Sequence, residues 1–249
     1  MLMKIYGKAY SVLMKKPLKL WGISLLYILL ASVLTALCGA AIPALGIAVT
    51  LLMGTSMTMI FLFGYRGEEV KVVQLFSCFK DWQTIKRVLL GMSWMALWIF
   101  LWSLIPVAGP FIALIRMYEY RLTPYILVTE PDVSITEAIE VSKKRTDGYK
   151  LQMFLADLLV YGIVFVVNLV LGLIAGLCVA YVPALGVLFS LILIVLDIVI
   201  FALVPLFVGL VQAAFYEEIQ SGKGKFCGNC GAPLGEGARF CTSCGQTVN

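Results

Sequence analysis

The chain has 249 residues, 61% hydrophobic and 13% charged, with a formal net charge of +5. Soluble domains sit nearer half apolar and a quarter charged, so the composition excludes an ordinary globular protein and indicates an integral membrane one. It contains no histidine, which removes the commonest general base and the imidazole metal ligand together.

Residues 1–17 contain no small-residue cleavage site, and the apolar run after them is too long for a signal-peptide core. The segment is therefore read as retained. Lys4, Lys8, Ser11 and Lys15 fall on one side at helical spacing, opposite Leu2, Tyr6, Ala9 and Leu13. This pattern fits either an amphipathic interfacial helix on a membrane surface or the charged flank of the first span.

A span needs about 20 mostly apolar residues. Residues 20–41, 44–64, 88–108, 152–178 and 185–214 meet that length, and 110–128 does so despite Arg116, Glu119 and Arg121. The expected fold is an all-α polytopic membrane protein, with six transmembrane helices as three hairpins across residues 18–218. The charges agree. Lys15, Lys16 and Lys19 precede the first span; Arg66, Lys71, Lys80, Lys86 and Arg87 follow the second; Lys143, Lys144, Arg145 and Lys150 follow the fourth. The opposite turns, CGAAIPALG, IPVAGP and AYVPALG, carry no charge. This asymmetry predicts a multi-pass protein of the cell membrane with both termini cytoplasmic. Omitting 110–128 would send the basic 143–150 cluster outside.

The turns share Pro43-Ala44-Leu45-Gly46 and Pro183-Ala184-Leu185-Gly186, with Pro106-Val107-Ala108-Gly109 a looser copy. Either a helical pair was duplicated, or each turn uses ordinary Pro/Gly reversal chemistry. Cys38 and Cys178 each lie five residues before such a proline; the sequence leaves open whether they are paired. On the basic side, residues 65–87 are too charged to span and suit a piece at headgroup level. Ser134 with Glu137 forms a capping box and Glu140 with Lys144 an i,i+4 pair, predicting a short amphipathic helix that Gly148 ends.

The runs LFSCFKDW, IPVAGPFIALIRMYEYRLTPYILVTEPDVSITEAIEVSKKRTDGYK and VPLFVGLVQAAFYEEI resemble a widespread family of bacterial six-span membrane proteins of unknown function. The matching features include Leu75-Phe76-Ser77, Tyr118, Tyr120, Pro124, Tyr125, Ser142, Gly148, Pro205 and Tyr216. Glu119 and Arg121 depart from it, standing where the family tends to carry small polar residues. The resemblance implies architecture and almost nothing about chemistry.

Ionisable groups at membrane depth are costly unless paired, which singles out Arg116, Glu119, Arg121, Asp157 and Asp197. At about 1.5 Å per residue, Arg121 would lie ~16 Å and Asp197 ~18 Å below the outer surface. An Arg121–Asp197 pair is therefore expected if their helices touch, with Asp157 reaching the inner headgroups. Such a cluster either lines a substrate or proton pathway or ties helices together. The aspartates lack the surroundings of an intramembrane aspartyl protease.

After a linker at 219–225, residues 226–249 hold Cys227-x2-Cys230, ten intervening residues, then Cys241-x2-Cys244. Four thiolates at this spacing predict a C-terminal zinc ribbon with one structural Zn ion and no open coordination position. The glycine after each second cysteine permits a knuckle turn. Two disulfides would need an oxidising compartment, whereas the charge asymmetry puts the tail inside. With Arg239 the only basic residue from Phe226 onward, no nucleic-acid partner is expected. The sequence reading is thus a non-enzymatic scaffold, regulator or accessory subunit. It sits in the lipid bilayer and uses the ribbon to bind a cytoplasmic protein partner. The alternative is a small permease or channel built around the Arg/Asp cluster.

Overall fold

The computed structural model describes residues 2–15, 17–181, 183–221 and 240–247. In chain order they form α1 (Leu2–Lys15), α2 (Pro17–Ala41), α3 (Pro43–Arg66), a 3-10 segment (Val72–Phe79), α4 (Trp82–Ser103), α5 (Gly109–Glu119), α6 (Thr123–Thr129), α7 (Ile135–Arg145), α8 (Lys150–Tyr181) and α9 (Pro183–Ser221). Five of these, α2, α3, α4, α8 and α9, are long and apolar enough to cross a membrane.

The sixth expected span, 110–128, is not one helix. α5 stops at Glu119 and α6 starts at Thr123. Pro124 explains the break: inside a continuous helix it would lack an N–H and clash with the carbonyl four residues back. In the first turn of α6 it costs nothing.

α3 forms the centre, burying Met53, Met59, Ile60 and Leu62. Its last turns share one apolar cluster with Tyr125 and Ile126 of α6 and Leu206, Leu210 and Tyr216 of α9. Gly209 permits the α3–α9 approach, because a Cβ there would meet the Phe61 ring at 2.2 Å. α2 packs on α3 and α8 on α9. Each of the three uncharged turns brings a glycine against backbone: a Cβ on Gly46 would sit 2.9 Å from Gly39 Cα, on Gly109 2.7 Å from Ser103 O, and on Gly186 2.4 Å from Val179 Cα. The third residue after each of Pro43, Pro106 and Pro183 thus serves close approach rather than a reversed φ. The positive φ in the middle turn belongs to Val107, at 62°. Cys38 and Cys178 are free thiols, half-buried rather than buried.

α1 folds back onto α9 and the ends of α2 and α3. It buries Ile5, Ala9 and Leu13, which recur every four residues, as the amphipathic pattern predicts. Tyr6 stacks on Phe207 with centroids 6.0 Å apart, and its hydroxyl donates to Ala156 O at 2.6 Å. α7 begins at the expected capping box, with Ser134 and Glu137 each bonding the other's backbone N–H. It ends at Arg145, and Gly148 follows at φ 78°. The Glu140–Lys144 pair does not form among the described residues. α7 is amphipathic as expected, burying Ala138, Ile139 and Ser142 where it packs on α4, α5 and α6. Lys16 and the expected linker residues 222–225 lie outside the described residues, while 219–221 belong to α9.

Candidate functional site

The break between α5 and α6 gathers most of the charges flagged from sequence. The backbone groups that the break takes out of the helical ladder are Glu119 O and Leu122 N, and α7 supplies their partners. Ser142 Oγ donates to Glu119 O at 2.7 Å and accepts from Leu122 N at 3.1 Å, while Thr146 donates to Glu119 O at 3.2 Å. Both hydroxyls are buried, so each is obliged to find a partner.

Around this break the charges form two closed groups. Glu119, with a side chain only 7% exposed, lies between Arg116 Nη1 at 2.5 Å and Lys150 Nζ at 2.8 Å. Arg121 Nη1 meets Asp157 Oδ2 at 2.5 Å, and Tyr118 donates to the same oxygen at 3.1 Å. The guanidinium of Arg116 also lies over the Trp102 ring at 4.8 Å, and that of Arg121 over Tyr118 at 5.0 Å. Arg116, Glu119, Arg121 and Asp157 are therefore brought together, joined by Lys150.

The expected Arg121–Asp197 pair is not formed. Asp157, about two turns into α8, is nearer because Arg121 stands in the break and not on a straight helix. Asp197 is exposed near the middle of α9 and has no polar partner among the described residues.

A second network had no sequence reading behind it. Arg87, one turn into α4, donates from Nε to Leu127 O at 2.8 Å and from Nη2 to Glu130 O at 2.7 Å; Nη2 also reaches Val133 O. Arg145 grips Glu130 through two bonds of 2.6 and 2.8 Å, and Gln220 donates to Glu130 at 3.1 Å. The hydroxyls of Thr129 and Tyr216 are 2.8 Å apart, and the Tyr125 and Tyr216 rings stack at 4.6 Å. The acceptors are mostly main-chain carbonyls of a short connection, which no residue-type pattern marks. The only signal was the co-occurrence of Tyr125 and Tyr216 among the features of the resemblance.

At the C-terminus, the described stretch 240–247 forms a compact turn. Phe240 bridges Thr247, Cys241 N donates to Gln246 O at 2.8 Å, and Gly245 N donates to Cys241 O at 2.8 Å with Gly245 at φ 75°. This is the knuckle the spacing predicts, closed by the residue that tolerates left-handed backbone. Cys241 is buried and Cys244 exposed at its two ends. Cys227 and Cys230 lie outside the described residues. The donors present suit a thiolate-bound zinc, with Cys241 and Cys244 as one half of the set; the metal would supply the fold energy that so short a segment lacks.

Residues 107–223 match a family described as protein of unknown function, DUF975, and residues 226–248 match a zinc-ribbon domain. The chain thus joins a DUF975 segment to a zinc ribbon, and the ribbon match implies a structural zinc ion. No curated protein and no solved structure matches the chain.

Proposed function

We propose that this pairing of a DUF975 segment with a zinc ribbon makes a non-enzymatic membrane scaffold, regulator or accessory subunit. Its apolar helices anchor it in the cell membrane, and its ribbon binds a cytoplasmic protein. The observation that carries the reading is the closure of the charge groups around Arg116, Glu119, Arg121, Asp157 and Lys150. Each cation is spent on a carboxylate of the same bundle, which is how a mount is stiffened and not how a pathway is kept open for a charged solute. The permease alternative loses its expected Arg121–Asp197 pair. The donor set of the ribbon, four cysteines, leaves no coordination position for a substrate.

Six crossings with both termini inside remain the topology of choice. Supporting this count, Arg87 at the start of α4 bonds the carbonyls of residues 127, 130 and 133. By the end of α6 the chain has come back along the whole of α4, so α5 and α6 together act as one interrupted crossing. Arg66 at the end of α3 bonds Glu217 near the end of α9 at 2.6 Å, and Tyr6 reaches α8. These contacts support a reading in which the charged ends share one side and the uncharged turns the other, as the positive-inside rule requires.

Crosslinking pull-downs from membranes, with the full chain and with residues 222–249 removed, test the function. A partner that disappears with the tail is the expected result. An unchanged set of partners would remove the scaffold reading, and solute flux abolished by Asp197→Asn would replace it with the permease.

A further inference from the structure

A cavity of about 360 Å³ opens between the polar face of α1, the start of α2, the end of α3 and Glu217 of α9. That volume suits a small polar ligand or a lipid headgroup. Four cations and three carboxylates line it, but most are already neutralised. Arg66 meets Glu217 at 2.6 Å, and Lys19 meets Glu69 at 3.2 Å. Lys8 and Lys15 are left over. Lys8 Nζ lies 4.4 Å above the centre of the Tyr65 ring, and neither ammonium has a carboxylate partner among the described residues. They stand seven residues apart on one helix face, two turns or about 10 Å.

Two unspent ammonium groups lining one cavity call for an anion, and Glu68, which lines it too, restricts its charge. The seven lining charges sum to +1, which complements a monoanion better than a dianionic phosphate monoester. The apolar side of the cavity carries Val12, Leu20 and Val70, at the end of the bundle where α2 and α3 present their apolar lengths. A headgroup phosphate can therefore sit between the lysines while its acyl chains leave along α2. From this geometry we infer that the cavity is a binding site for the phosphodiester headgroup of an anionic phospholipid, held by Lys8 and Lys15. Tyr65 fixes the Lys8 ammonium from beneath, so that cation is positioned before the ligand arrives.

The site rests on the membrane reading above but not on the scaffold role. Failure of the membrane reading would show in sidedness reporters, and failure of the scaffold role in the pull-down, neither of which depends on these lysines. The test is native mass spectrometry of the full chain in mild detergent, titrated with phosphatidylglycerol. The double variant Lys8→Gln/Lys15→Gln is expected to retain at least ten-fold less lipid. A Lys143→Gln/Lys144→Gln control on α7 should retain as much as the unaltered chain. All four lysines are exposed, so far-UV circular dichroism should show each variant folded. Equal loss in both variants would reduce the site to diffuse surface attraction, and no loss in the first would remove it. Displacement of the lipid by equimolar glycerol 3-phosphate would overturn the lipid assignment in favour of a free phosphate ester.

Discussion

Arg121 shows how far a single residue can be followed from sequence. Its membrane depth called for a carboxylate, and it has one, but the carboxylate is Asp157 at 2.5 Å. The estimate by rise per residue treated 110–128 as a straight rod. The three-residue break before Pro124 swings Arg121 toward α8 instead. Both partners are only about one-sixth exposed, so removing one leaves the other charge poorly solvated. Asp157→Leu is expected to destabilise the protein by about 3 kcal/mol. Adding Arg121→Met to it should recover most of that loss, as read by thermal unfolding in detergent. Asp81 offers a different residue-scale test. The Thr84 backbone N–H, 2.7 Å away, and then the Thr84 side chain hold its carboxyl below the ordinary carboxylate value. A lowered folded-state pKa means the cap contributes at pH above about 4 and is lost as acid protonates it. Exchange protection of the Thr84 amide, corrected for intrinsic rate, should fall between pH 5 and 3. Asp81→Asn should flatten that dependence.

Elements differ in how plainly they were written. α7 was legible because its start is a local contract between Ser134 and Glu137, three residues apart, and its end is marked by Gly148. The ends of α3 and the knuckle at 241–245 were legible for the same reason: proline and glycine act on their own neighbourhood. The partition of α5 and α6 was not, since hydropathy over 110–128 averages across the break. The Arg87 and Glu130 networks were invisible because they join residues 15 to 90 positions apart. The contact of α3 with α9 belongs to this second class, and Gly209 makes it testable. Gly209→Ala would press a methyl into the Phe61 ring, and Phe61 is itself buried. A loss of about 1–3 kcal/mol is expected from overpacking. The further change Phe61→Leu should relieve part of it, measured by the same unfolding assay.

For the whole molecule, the membrane body and the ribbon are coupled through α9, which stays helical to Ser221. The ribbon needs metal to fold, whereas the body has its own apolar core. Chelation should therefore release zinc and leave the helical signal of the body intact. Metal analysis of the purified chain is expected to give one zinc per molecule, falling to near zero in Cys241→Ser. Unfolding of the body upon chelation would refute this independence.

Val107 carries a practical corollary. It is 89% exposed, holds a left-handed backbone that β-branched residues resist, and sits among exposed neighbours from 104 to 108. Because residues 104–108 are all exposed, a short epitope or a single labelling cysteine placed there should be carried without harm. Antibody access to such a marker in intact cells would report which compartment this corner occupies.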